Sequence, residues 1–271
     1  MSPWLTVFAV LLVLVAMVLV GRDAYRHAET RPGATRSDAA AGSNESPRVP
    51  EPVIERRGAA AIQPPTLPAS EQPARKPIVR VRPGERVALH NSPGGKVVAE
   101  VDDETSFGSA TAFAVNSRRP GWLGVPSEEL PNGELGWVKA DPEELRGEST
   151  PYRILVDLSA HEARLYDGDK IDRKWAVTVG TPATPTPTGR FSVTDLIEGG
   201  LNPVYGCCAI AISATQPYLP AGWTGGDRIA FHGGDDQLGL DASNGCIRSP
   251  DGELRALIRK VPLGTPVRIR S

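Results

Sequence analysis

From residue 78 onward, apolar positions recur with a period near two, in short runs broken by Gly, Pro, Asn and Asp. Ile78-Val79-Arg80-Val81-Arg82 alternates, Pro83-Gly84 turns, and Arg86-Val87-Ala88-Leu89-His90 alternates again. Lys96–Val101, Gly121–Val125 and Asn132–Val138 continue this rhythm between turn-forming residues. Short strands joined by Gly- and Asn-Gly-bearing turns predict a small barrel or sandwich over residues 78–148. Trp122 and Trp137 read as its core, with ligand contact as the alternative. His90 has no acidic or His neighbour in sequence and reads as a surface residue.

The same period fills residues 151–271. Arg153–Leu158, Ala163–Tyr166, Trp175–Gly180, Arg190–Thr194, Ala209–Ser213, Asp227–His232 and Thr265–Arg270 are strand candidates. Thr184-Pro185-Thr186-Pro187-Thr188-Gly189 is too dense in proline for a central ladder and predicts a rigid extended edge or loop. The helical period appears once, over Asp251–Lys260. There Leu254, Leu257, Ile258 and Val261 fall at i, i+3, i+4 and i+7, with Ser249 or Asp251 as the expected cap. The predicted fold class is mainly β with one main helix.

The first residues break the pattern. Trp4–Val20 contains one polar residue, Thr6, and no charge. With Pro3 the run covers about 27 Å of helix, close to the thickness of the hydrocarbon core of a bilayer. The expectation is a transmembrane signal-anchor over 1–21, since no small-residue cleavage site follows Val20. Arg22, Arg26 and Arg31 lie after the run and no basic residue lies before it. The positive-inside rule on its own would therefore keep the rest of the chain cytoplasmic. Residues 22–77 read as a disordered tether. Between 31 and 77 there are nine prolines and no aromatic residue, Met or Cys, so ordering entropy outweighs any burial.

Composition narrows the function. With 30 Lys+Arg against 32 Asp+Glu the net charge is −2, which argues against a nucleic-acid partner. Three cysteines are too few for a disulfide scaffold or a tetrahedral zinc site, and the sequence offers no metal cluster. Two segments carry candidate chemistry: Phe231-His232-Gly233-Gly234 and Ser243-Asn244-Gly245-Cys246-Ile247-Arg248. A thiol becomes a nucleophile when a base or a positive field favours the thiolate. His232 ends a predicted strand, and a loop can return Cys246 to it. Gly245 lets backbone amides turn inward, as an oxyanion hole requires. Arg248, two residues on, shares the thiol's face in a strand and suits a substrate carboxylate. On spacing alone, a buried structural Cys with a strand-end His remains the alternative.

Resemblance adds to this reading. Thr186-Pro187-Thr188-Gly189-Arg190-Phe191, Ile229–Gly233, Ser243–Arg248 and Val261–Val267 together resemble, in order and spacing, the YkuD-type L,D-transpeptidase catalytic domain over about 120 residues. The resemblance implies a β-sandwich-type fold and a cysteine acyl-enzyme that needs no metal or organic cofactor. Cys246 would be the nucleophile and His232 the base, with the Gly233 carbonyl steadying the ring. The backbone amides of Asn244, Gly245 and Cys246 would form the oxyanion hole, and Arg248 and Ser243 would contact substrate. Asn244 stands where many members carry His. The implied reaction is 3→3 cross-linking of peptidoglycan stem peptides, with carbapenem-type β-lactams as inhibitors. An L,D-carboxypeptidase of the same fold and a non-catalytic wall-binding protein are the alternatives. The paired Gly121-Trp122 and Gly136-Trp137 segments resemble a bacterial SH3-like module. The expected location is a single-pass membrane protein with its catalytic domain (151–271) facing the periplasm or cell wall.

Other residues are placed by context. Tyr205 and Trp223 sit in loops before the His232 strand, so cleft lining and core packing are both open. Cys207 and Cys208 are adjacent, and buried thiols are expected over a vicinal disulfide. His161 reads as a turn residue. Asp235 and Asp236 read as solvated loop charges.

Overall fold

The computed structural model describes residues 74–234 and 238–271. The expected anchor (1–21), nearly all of the 22–77 tether, and Asp235 and Asp236 lie outside the described residues. Among the described residues no helix is long and apolar enough to cross a membrane.

Two hydrophobic clusters organise the chain. The first belongs to eight strands: β1 (Lys76–Val81), β2 (Arg86–His90), β3 (Val97–Asp102), β4 (Ala112–Ala114), β5 (Ser117–Arg119), β6 (Trp122–Val125), β7 (Gly136–Lys139) and β8 (Leu145–Thr150). They form a three-stranded sheet, β4-β1-β8, and a five-stranded sheet, β3-β2-β7-β6-β5. Val79, Val81, Leu89, Phe113, Val125 and Val138 meet between them. The strand period decides what points inward: Leu123 and Val138 do, so Trp122 and Trp137 do not. The core reading of both tryptophans is therefore corrected. Each is half-buried, Trp122 edge-on to His90 at 4.9 Å and Trp137 beneath the Arg119 guanidinium at 5.8 Å. His90 is half-buried as well, with Nδ1 2.8 Å from the Gly95 carbonyl, so the surface reading is corrected too.

The second cluster belongs to β9 (Tyr152–Asp157), β10 (Glu162–Asp167), β11 (Lys170–Ala176), β12 (Val179–Gly180), β13 (Gly189–Ile197), β14 (Ala209–Thr215), β15 (Arg228–His232), β16 (Asp241–Ser243), β17 (Ile247–Arg248) and β18 (Pro266–Arg270), with α1 (Asp251–Ile258). Eight of these strands make one sheet in the order β11-β10-β9-β18-β13-β14-β15-β17, and β12-β16 make a small parallel pair. The fold is mainly β with one α-helix among the described residues. Ile154, Phe191, Ile210, Ile212, Phe231 and Leu254 are buried together at its centre.

Differences from the sequence reading have local causes. The expected strand Trp175–Gly180 is two elements. β11 starts earlier, because the Asp167↔Lys170 pairing closes a two-residue turn whose Gly168 has φ 59°. Its charged first half sits at the sheet edge, where no apolar alternation is required. α1 has no side-chain cap: Pro250 occupies the N-cap. The Ser249 hydroxyl is instead taken by Trp175 Nε1 at 3.1 Å, and Asp251 Oδ1 accepts the Cys207 amide at 3.3 Å. Cys207 and Cys208, expected as buried thiols, are joined in a vicinal disulfide. His161 does lie in a turn, at φ 48°, with Nε2 2.8 Å from Asp241 Oδ1.

Candidate active site

β15 ends at His232, and β17 runs parallel beside it with Phe231 opposite Ile247 and His232 opposite Arg248. Cys246 immediately precedes β17, so a two-residue ladder brings the loop that carries the thiol back onto the strand that carries the imidazole. Cys246, His232, Arg248, Tyr205 and Trp223 all line one cavity of about 470 Å³.

His232 is fixed on several sides. Its carbonyl accepts the Ser249 amide at 2.9 Å, and the Gly233 amide donates to the Tyr205 carbonyl at 2.8 Å. The Tyr205 ring stands edge-on to the imidazole at 5.1 Å. Nδ1 lies 2.7 Å from the Gly233 carbonyl. A carbonyl can only accept, so Nδ1 carries the proton and Nε2 offers its lone pair. Gly233 also meets a steric need: a Cβ there would lie 2.3 Å from Asp251 Oδ1 and 2.6 Å from the Gly206 Cα.

The thiol is held as a neutral group. Cys246 Sγ points at the Arg228 carbonyl, 3.9 Å away. Burial pushes its pKa above the ordinary thiol value, and the Ala230 backbone and the Arg248 charge oppose that rise. Burial likewise pulls His232 below its ordinary value. The Gly233 carbonyl works against this shift, and the Arg248 charge adds to it. Both trends favour a neutral thiol and a neutral imidazole in one cavity, a protonation state suited to proton transfer during attack rather than to a standing ion pair.

The turn carrying Cys246 is braced by residues the sequence reading did not single out. The Thr186 hydroxyl donates to the Gly245 carbonyl at 2.8 Å, and the Thr184 hydroxyl donates to the Ser243 carbonyl at 3.1 Å. Gln216 Nε2 reaches both the Asn244 and the Pro185 carbonyls at 3.1 Å. The Thr-Pro repeat therefore acts as a buttress: its prolines stiffen the backbone and its buried hydroxyls satisfy the carbonyls of the turn. A polar residue at Thr186, in a segment too rigid to be a strand, was the available signal; nothing in the sequence marked Gln216.

Two expected site residues already have partners. Ser243, expected as a substrate contact, lines the cavity but is largely buried; its hydroxyl donates to the Cys246 carbonyl at 2.6 Å and accepts the Gly245 amide at 3.1 Å. Ser243 shapes the turn, and the Gly245 amide, expected in the oxyanion hole, already has a partner. Trp223 lines the cavity as a loop residue, 39% exposed, with Nε1 bonded to the Gly226 carbonyl at 3.0 Å, so the core alternative does not hold for it.

Comparison with known proteins places the C-terminal β-unit in a family. Residues 151–269 match the YkuD family, described as the L,D-transpeptidase catalytic domain. A Bacillus licheniformis protein assigned as the L,D-transpeptidase YkuD is 30% identical over 124 residues, which cover 45% of this chain and 67% of the relative. The chain belongs to the YkuD-type L,D-transpeptidase family. A second such relative, the protein assigned as L,D-transpeptidase YqjB of Bacillus subtilis, is 33% identical over 128 residues, covering 44% of this chain and 70% of the relative. An Enterococcus faecium L,D-transpeptidase of known structure is 28% identical with a TM-score of 0.32, covering 44% of this chain and half of that protein. The family match takes in His232, Cys246 and the Thr184–Thr186 buttress and leaves β1–β8 outside it. Among the described residues no group of His, Cys, Asp and Glu is placed to hold a metal ion.

Proposed function

We propose that the protein is a cysteine-dependent peptidoglycan L,D-transpeptidase that forms 3→3 cross-links through a thioester. The observation that carries this reading is the shared cavity: the Cys246 thiol and an imidazole with its Nδ1 bonded to the Gly233 carbonyl face the same space. In the first half-reaction the thiol proton passes to His232 Nε2 and Sγ attacks the carbonyl carbon of the third residue of a stem peptide, at the amide that joins it to the terminal D-Ala. The oxyanion is met by the backbone amides of Asn244 and Cys246. The C–N bond then breaks, and the imidazolium returns its proton to the departing D-Ala amine. In the second half-reaction an amine of a neighbouring stem attacks the thioester and loses a proton to His232. The C–S bond breaks and the thiol is restored. No redox change occurs and no cofactor is required. Arg248 suits a substrate carboxylate, and Tyr205 and Trp223 give the peptide a wall.

In this reading residues 1–21 anchor the chain in the membrane, the segment between them and β1 spaces the enzyme from it, and β1–β8 act as an SH3-like module at the wall. A disulfide at Cys207–Cys208 accords with an oxidising exterior. A carbapenem should acylate Cys246, because a strained acyl group mimics the donor amide. Mass spectrometry of the intact protein after carbapenem treatment tests the assignment. The wild type should gain one adduct and Cys246→Ala none; an adduct on the Ala variant rejects Cys246 as nucleophile. Incubation with a defined tetrapeptide donor and an acceptor amine separates the transpeptidase from the carboxypeptidase reading: cross-linked product supports the first, and tripeptide alone the second.

A further inference from the structure

Nine large hydrophobic side chains are exposed among the described residues, and four of them, Phe107, Val204, Leu219 and Trp223, line the cavity that holds Cys246 and His232. Exposed apolar surface gathered at one place marks a binding site, whereas single exposed side chains need no explanation. Three of the four come from loops of the C-terminal sheet. Phe107, 52% exposed, comes from the turn between β3 and β4, in the other β-unit.

That turn is tightly built. Glu104 bridges Ala110, the Thr105 amide donates to the Ser109 carbonyl at 2.8 Å, and the Gly108 amide donates to the Thr105 carbonyl at 2.9 Å. The Thr105 hydroxyl accepts the amides of Phe107 at 3.3 Å and Ser109 at 3.1 Å, and it donates to Asp195 Oδ1. Asp195 is fully buried on β13. One hydroxyl thus orders the backbone beneath Phe107 and docks it on the C-terminal unit. A second link reaches the nucleophile: Glu128 pairs with Arg228 at 2.8 Å, and the Arg228 carbonyl faces the Cys246 thiol.

We propose that Phe107 is a substrate-contacting wall of the active-site cavity, so that the N-terminal β-unit helps to select the peptide that the thiol accepts. This inference rests on the transpeptidase reading above. The ring is placed to cover the aliphatic side of a donor stem peptide in the cavity it shares with Trp223, and the Thr105–Asp195 bond presents it already positioned, with little ordering left for the bound state. A β-unit serving only as a spacer or as a remote wall anchor would have no need of an exposed aromatic side chain in the catalytic cavity.

The test compares the full-length chain with Phe107→Ala and Phe107→Leu, following acylation of Cys246 by a tetrapeptide donor and alkylation of Cys246 by iodoacetamide. Loss of the ring should lower kcat/KM for the peptide roughly tenfold, carried by KM. Alkylation should be unchanged, because the small reagent needs no wall, and Phe107→Leu should recover most of the loss. An unchanged kcat/KM in Phe107→Ala overturns the proposal, as does a parallel fall in alkylation, which would mean a general disturbance of the site. Should the wild type itself alkylate but accept no peptide, the transpeptidase reading fails and this inference fails with it. That outcome is recognised by silence of the wild type rather than of the variant.

Discussion

Cys246 and His232 are ordinary residue types given unusual properties by burial. Desolvation disfavours both charged forms, raising the thiol and lowering the imidazole. The sign of the pH dependence follows. The working base is neutral His232, and a lowered pKa keeps it neutral further into acid. Carbapenem acylation, measured as a rate against pH, should therefore fall on its acid limb with a midpoint below the ordinary imidazole value of 6.5. A midpoint above 6.5 would indicate a stabilised imidazolium and a standing thiolate, contrary to the arrangement described. At this scale the sequence was informative about identity and poor about partners. His232, Cys246, Gly233 and Arg248 stand out through a short motif. Burial of the Ser243 hydroxyl, and the pairing of the Gly245 amide with it, depend on a turn conformation that no residue type announces.

At the scale of elements, the nucleophile turn between β16 and β17 is held from outside itself, by Thr184 and Thr186 before β13 and by Gln216 after β14. Gly245 is where this bracing is tightest. Its φ is 110°, a backbone region that L side chains avoid, and a Cβ would lie 2.1 Å from Gln216 Nε2. Gly245→Ala should push the Gln216 side-chain amide off the Asn244 carbonyl and misplace the thiol. A loss on the order of a hundredfold in acylation is expected, with measurable protein still folded by circular dichroism. Acylation at the wild-type rate would show that the turn tolerates a side chain and that Gln216 is not a brace. The strands themselves were largely legible, because alternation is a local signal and a turn residue is a local stop. β11 was misplaced because an edge strand can be built from charges, and the two-residue β17 was invisible because its only warrant is the neighbour it pairs with.

Across the whole molecule, several directional polar contacts join the two β-units. The Ala114 amide donates to the Ser192 hydroxyl at 2.8 Å. Asn132 exchanges two hydrogen bonds with the Thr215 backbone, at 2.6 and 3.0 Å, and Glu128 meets Arg228 at 2.8 Å. Directional bonds of this kind define a register between the units. Within the seam, Asp195 is the group with most at stake, being fully buried with Thr105 on one oxygen and Arg228 3.8 Å from the other. Thr105→Val keeps the shape of the side chain and removes the donor. Stability should fall by about 1–3 kcal/mol, read from denaturant unfolding, because a buried carboxylate loses its hydrogen bond. A change within about 0.5 kcal/mol would place the seam among surface-like contacts instead.

By itself the sequence determined the mainly-β class, the two β-rich segments, the one α-helix among the described residues and the candidate residues that one cavity brings together. Each of these rests on short-range information: side-chain period, turn propensity, and a motif a few residues long. Tertiary structure decided which hydroxyls and amides were already taken, that the tryptophans of the first unit face outward, and that an aromatic residue of one unit stands in the cavity of the other. Those outcomes depend on the conformation of a turn or on partners tens of residues away, and they are settled by packing and by the pairing of buried polar groups, which no local pattern encodes.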